Sequence, residues 1–302
     1  MFDIVDSGKN LLRVERTRLH YRHVQQDRLE RIAQHKQAVA ARRAALMAKP
    51  GEPRGLNLFA DGDSWFDYPL PLDGRNDVIR SIGKHGTPQP LILNLAHYGD
   101  EARDLLGVKR RQRIINNLKD PENGTFDAIL FSGGGNDTVG EQFCLWIKEH
   151  EPGMTPDQAI NEPRLEAVLG VVRSAYEDLI AIRDQIVPDC YIFIHAYDFA
   201  IPNSDGGICD GLIGPWLDPS LRYRDWTNTA EATGVVRVFL LRFHDLLENI
   251  AGAHKNVILV KTQGTLDPQT DWANELHPTP EGFDKIGAKF VEALQEVFQG
   301  RI

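Results

Sequence analysis

Residues 57–69 read Asn57-Leu58-Phe59-Ala60-Asp61-Gly62-Asp63-Ser64-Trp65-Phe66-Asp67-Tyr68-Pro69. A short apolar run stops at a small acidic turn, and a serine stands just past it. Most serines are turn or cap residues, so this one gains meaning only from its setting. In an open α/β sheet, chemistry gathers at the carboxyl ends of the strands. A strand Leu56–Ala60 ending near Gly62-Asp63-Ser64 would present a hydroxyl there. The rest of the chain must then supply further strands, a base and donors for an oxyanion.

Four more short apolar runs follow: Leu91–Ala96, Ala128–Phe131, Tyr191–His195 and Val257–Val260. Helical stretches lie between and after them, near residues 100–119, 158–186, 229–252 and 280–299. Almost continuously apolar strands separated by helices predict a parallel sheet covered on both faces. Right-handed crossovers put every carboxyl end on one edge. The loops leaving that edge hold His97-Tyr98-Gly99-Asp100, then Ser132-Gly133-Gly134-Gly135-Asn136-Asp137, and last Asp271-Trp272-Ala273-Asn274-Glu275-Leu276-His277-Pro278-Thr279. A serine, a bare glycine amide, an asparagine amide and a histidine converge.

Bulk properties narrow the function classes. The 302 residues carry 34 Lys and Arg against 43 Asp and Glu, a formal net charge of −9. That balance argues against a general nucleic-acid binder. No apolar run approaches the roughly 18 residues that span a bilayer. The start, Met1-Phe2-Asp3-Ile4-Val5-Asp6, has no basic or apolar signal region. The three cysteines, Cys144, Cys190 and Cys209, are scattered and fit a reducing compartment better than a disulfide framework. A cytoplasmic location is the expectation. No zinc-type spacing appears, and the Gly133–Gly135 run has neither dinucleotide nor P-loop spacing. No metal or cofactor is expected.

Residues 10–49 contain no Gly or Pro and favour helix. Apolar residues recur at Leu12, Leu19, Leu29, Ile32, Val39 and Leu46, but the heptad breaks between Leu19 and Leu29. One or two surface helices packed on the main domain are predicted, with a docking arm for an acidic partner or anionic membrane as the alternative. Pro50-Gly51-Glu52-Pro53-Arg54-Gly55 reads as a linker. The expected organisation is a helical extension over 1–55 and one α/β domain over 56–302.

Acyl transfer needs an activated nucleophile, a base and oxyanion donors, one of which is worth about 3–4 kcal/mol. Ser64 can attack and offer its own N–H. Gly99 can present an N–H that no side chain blocks. The Asn136 amide can be the third donor. His277 can take the proton from Ser64 and return it to the leaving alcohol. Each residue also has a bland reading: Ser64 and Gly99 as turn residues, Asn136 as a helix cap, His277 as the start of the last helix.

These blocks, in this order, resemble the SGNH or GDSL-type serine hydrolase superfamily. Gly62-Asp63-Ser64 resembles its nucleophile block and Asn94-Leu95-Ala96-His97-Tyr98-Gly99-Asp100 its glycine block. Gly134-Gly135-Asn136-Asp137 resembles its asparagine block and Leu276-His277-Pro278-Thr279 its histidine block. The resemblance spans residues 56–299 and leaves the first 50 outside. It implies a flavodoxin-like three-layer α/β/α sandwich and hydrolysis of a small-molecule ester or thioester without a metal. Rivals within it are a carbohydrate O-acetylesterase or a lipid-directed hydrolase; the rival outside it is a catalytically silent binding protein on the same fold.

One position departs. The family usually has an aspartate three residues before the histidine, and Asn274 stands there. Asp271 is the expected orienting acid, with Asn274, Glu275 or a backbone carbonyl as alternatives. Alanine at Asp271 should then lower turnover far more than at Glu275. The segment Ile201–Trp226, rich in Gly, Pro and aromatics, reads as a lid-like insertion at about 200–228. Phe143, Leu145 and Trp146 are candidates for a second wall. Trp65, His195 and Trp216 are candidate substrate contacts, although Trp65 could equally be core and His195 a satisfied structural histidine.

Overall fold

The computed structural model describes residues 4–69, 76–203 and 214–302, with side-chain contacts from Leu19 onward. Five strands form one parallel sheet: β1 Asn57–Gly62, β2 Leu91–Asn94, β3 Ala128–Ser132, β4 Tyr191–His195 and β5 Val257–Val260. Their order is β2-β1-β3-β4-β5. Every residue of β1 and β3 is buried, as strands covered on both faces require.

The helices are α1 Ile4–Ala48, α2 Val78–Ile82, α3 Val108–Lys119, α4 Gly135–Thr138, α5 Glu162–Ile186, α6 Asp218–Tyr223, α7 Thr229–Ala253 and α8 Pro280–Val297, with short 3₁₀ turns between them. From β1 the chain moves outward to β2, then returns past β1 to β3. Because crossovers keep one hand, that reversal sends later helices to the opposite face. Accordingly α2 packs on α8, while α3 and α7 pack on α5. The reversal opens a crevice between the carboxyl ends of β1 and β3, where Ser64 and Asn136 follow. This is the α/β sandwich with a parallel centre that the strand pattern predicts. No helix among the described residues is long and apolar enough to cross a membrane.

The first helix is single, and it lies on β2 and the turn Pro121–Asn123. Its inward face differs from the leucine pattern. Leu19 and Leu29 are exposed, whereas Val24, Arg28 and His35 are buried. Arg28 donates to the Leu95 carbonyl at 3.0 Å and to Asp100 at 2.7 Å. Arg31 reaches Asp67 at 3.2 Å. Guanidinium groups, not leucines, hold this part of the helix to the loops after β1 and β2.

Candidate active site

The turn that carries Ser64 is built from below. Gly62 has φ +152, and a Cβ there would stand 2.3 Å from the Ser132 carbonyl oxygen. That oxygen already accepts the Asp63 N–H at 3.1 Å. Only glycine lets the chain turn this close to β3. The buried Asp63 carboxylate accepts from the Ser132 hydroxyl at 2.7 Å, Trp65 N–H at 3.0 Å and the Tyr197 hydroxyl at 2.5 Å. Burial pushes its pKa up, and these donors pull it the other way. Asp63, Ser132 and Tyr197 thus fix the turn that carries Ser64. The sequence reading missed this role because an acid beside a serine carries no periodicity or spacing signal.

His195 belongs to the same network and is fully buried. Its Nδ1 accepts the Tyr197 N–H at 3.2 Å, so Nε2 carries the hydrogen and donates to the Ser132 hydroxyl at 2.9 Å. Burial pushes its pKa down to about 3. Both nitrogens are used inside the protein. This corrects the expectation of a substrate contact: His195 is a structural histidine under the turn that carries Ser64.

Ser64 Oγ lies 2.8 Å from Nε2 of His277. The other ring nitrogen, Nδ1, lies 2.9 Å from Oδ1 of Asn274. That oxygen also accepts the backbone N–H groups of Leu276 and His277, each at 3.0 Å. Two N–H donors can face only the amide oxygen, so the orientation of Asn274 is set. Nδ1 must then carry the hydrogen, and Nε2 presents its lone pair to Ser64. The asparagine selects the tautomer that a general base requires. Burial pushes the His277 pKa down to about 3, so the ring is neutral over the physiological range. The rings of Tyr68 and Trp216 flank it, with centroids at 4.8 and 5.6 Å.

Asp271 is not the group at His277. The loop doubles back, with Trp272 bridged to Pro278 and Thr279 N–H bonded to the Asp271 carbonyl at 2.8 Å. Its carboxylate meets Lys285 at 2.6 Å and the Asp267 N–H at 2.7 Å. Glu275 is also occupied. Its buried carboxylate accepts the backbone N–H groups of Asn203, Trp216, Leu217 and Asp218. It pins both described ends of the expected insertion; residues 204–213, including Gly206, Gly207, Cys209 and Gly211, lie outside the described residues.

The oxyanion candidates sit on adjoining loops. The His97 N–H bonds to the Gly62 carbonyl at 3.0 Å, which joins the loop after β2 to the turn that carries Ser64. Gly99 has φ +80, and a Cβ there would meet nothing within 4 Å, so this backbone faces open space. Neither Ser64 nor Gly99 donates its N–H to an acceptor among the described residues. Asn136 Nδ2 donates to the Asp100 carbonyl at 2.9 Å, tying the amide to the residue after Gly99 and leaving one hydrogen unassigned.

Ser64, Asn136 and His277 open into a narrow cavity of about 50 Å³. Its apolar wall is Val236, Phe239, Leu240 and Phe243 from α7, with Leu217 and Trp272. Trp65 lines it too, holding its ring by an Nε1 bond to the Leu276 carbonyl at 3.0 Å. The expected second wall stands behind the first: Phe143 is buried against Phe239, in the same cluster as Leu217, Val236 and Leu240, without lining the cavity, and Leu145 is exposed. The signal for α7 was present in Val235-Val236-Arg237-Val238-Phe239-Leu240-Leu241, too apolar for a helix that covers one sheet face alone.

No family model matches the chain, and no curated protein matches it in sequence. Solved structures do match in shape. The lipase Lip_vut3 from a goat rumen metagenome superposes with a TM-score of 0.52 at 16% identity, covering 79% of this chain and 97% of that one. A GDSL-like lipase from Parabacteroides merdae gives 0.45 at 17% identity over 79% and 95%. Est24, a carbohydrate acetylesterase from Sinorhizobium meliloti, gives 0.46 at 11% over 80% and 100%. The chain shares the α/β fold of the goat-rumen lipase.

Proposed function

We propose that this protein is a serine hydrolase of small carboxylic esters. The observation that carries the reading is the Ser64 Oγ to His277 Nε2 approach at 2.8 Å with the tautomer set by Asn274. Ser64 attacks the acyl carbonyl while Nε2 takes its proton. The N–H groups of Ser64 and Gly99 and the Asn136 amide receive the oxyanion. Nε2–H then protonates the leaving alkoxide, which departs as the alcohol. Water, deprotonated by the same nitrogen, releases the acid and restores Ser64. Asn274 holds the imidazole but adds no negative charge to the transient imidazolium.

The acyl group enters the apolar cavity. Its 50 Å³ corresponds to roughly four water positions, at 10–15 Å³ each, room for an acyl chain of about two to four carbons. A p-nitrophenyl ester series tests both statements. Wild-type protein should favour acetate to butyrate over octanoate by at least about tenfold. It should also take up a fluorophosphonate at Ser64. Ser64→Ala should lower hydrolysis by roughly four to six orders of magnitude. Activity equal in wild type and Ser64→Ala would refute the hydrolase and leave a binding protein on this fold.

A further inference from the structure

A second cleft, of about 220 Å³, adjoins the site on the side of the first helix. Tyr68, His97 and Tyr98 line it from the catalytic edge, and His20, His23 and Asp27 from α1. Tyr68 is the wall common to both places, since its ring also packs on His277. Tyr98 immediately precedes Gly99, the candidate oxyanion donor. Acyl and alcohol must lie on opposite sides of the attacked carbonyl. With the acyl chain in the apolar cavity under α7, this cleft is where the alcohol would lie.

Its chemistry is specific. The charged groups neutralise one another: Arg31 pairs with Asp27 at 2.8 Å and with Asp67 at 3.2 Å, and Arg80 pairs with Asp77 at 2.7 Å. What remains for a ligand is a set of imidazoles and phenols. His20 and His23 project three residues apart on one helix face. The His97 ring stacks on Tyr98 with centroids 4.1 Å apart, and His20 meets His97 edge-on at 5.5 Å. Burial lowers the pKa of His97, so its ring stays neutral and offers one donor and one acceptor. The His97 imidazole and the Tyr68 and Tyr98 hydroxyls beside flat rings suit a neutral ligand with several hydroxyls, and they suit neither a lipid chain nor an anion.

We infer that α1 builds the leaving-group subsite of this enzyme, and that the alcohol it receives is a neutral polyhydroxylic one, such as a sugar ring. The inference rests on the hydrolase reading above. It gives the N-terminal helix a part in specificity, with His20 and His23 as specificity-determining residues.

The test compares esters that share an acetyl group. His20→Ala and His23→Ala should lose at least ten times more kcat/KM on methyl 6-O-acetyl-α-D-glucoside than on p-nitrophenyl acetate, with the difference mainly in KM. Equal losses on both esters would overturn the subsite and leave α1 a structural role. A binding measurement separates the two readings: methyl α-D-glucoside should shift the imidazole C2–H resonances of His20 and His23 in Ser64→Ala protein. Such shifts without ester hydrolysis by wild type would keep the subsite and refute the hydrolase. Hydrolysis with no shifts and no discrimination would do the reverse. Acetylated xylan, assayed beside the monomeric acetate, shows whether the sugar arrives free or within a polymer.

Discussion

Ser64 and His277 meet at 2.8 Å but are held by unlike means. The serine stands on a turn whose buried carboxylate, Asp63, receives three donors and joins Ser132, Tyr197 and His195 in one network. The histidine stands on a loop whose anchor, Asn274, is a neutral amide. One partner is fixed by a buried charge and the other by dipoles alone. Position and charge are therefore separate contributions in this site. The imidazole is placed and its tautomer chosen without a carboxylate, and no negative charge stands at Nδ1.

The largest break in that comparison falls on the serine side. Asp63→Ala leaves two hydroxyls and an N–H buried without their acceptor, and should cost about 2–5 kcal/mol of stability. Tyr197→Phe removes one donor to the same carboxylate and the acceptor of the Gly135 N–H, and should cost about 1–2 kcal/mol. Urea titrations of both variants measure the difference. Comparable small losses would mean that Asp63 does not organise the turn.

Asn274 sharpens the other half. Asn274→Asp keeps the three acceptor contacts and adds a negative charge at Nδ1, which strengthens a hydrogen bond about twofold. It should raise kcat/KM at pH 8 by about tenfold, a change of roughly 1.4 kcal/mol. In wild type, burial lowers the His277 pKa to about 3, so the base stays unprotonated well below pH 6.5 and the acid limb of kcat/KM lies in that lower range. An adjacent carboxylate favours the imidazolium and raises its pKa. The acid limb of Asn274→Asp must therefore move to higher pH. A limb that stays put would show that residue 274 does not sense the ring's charge.

The smallest effect expected distinguishes the two acids of the histidine loop. Glu275→Ala releases four backbone N–H groups around 203 and 216–218 and should lower kcat about tenfold through the cavity wall at Leu217. Asp271→Ala loses a partly exposed pair with Lys285, worth about 0–1 kcal/mol, and the acceptor of the Asp267 N–H, neither of them at His277, and should change kcat less than about threefold. Steady-state kinetics on p-nitrophenyl acetate read both. The ranking is opposite to the one expected from residue spacing, because the loop turns Asp271 outward onto α8 and Glu275 inward onto the insertion.

Much of this was legible in the chain. Five apolar runs with intervening helices predict a parallel sheet, and four of the five strands begin where the runs do. Glycine at 62 and 99 and the amide at 136 stand where acyl transfer asks for close backbone approach and donors. The helix 4–48 was legible as a helix but not in its facing. Periodicity follows leucines, and its inward positions include Arg28 and His35. Likewise His195 stands at a strand end like a site residue, yet its partners Ser132 and Tyr197 are 63 and 2 residues away and become visible only when β3 and β4 pair.

The sequence alone determined the five-stranded parallel sheet and the edge its loops leave from, and it nominated the serine, the histidine and the oxyanion candidates, because strand periodicity and short motifs are local. Tertiary structure decided which group meets Nδ1 of His277, what supports Ser64, where an apolar cavity opens beside it and which face of the first helix looks at that edge. Those depend on directions of side chains brought together from distant segments, and no spacing along the chain records a direction.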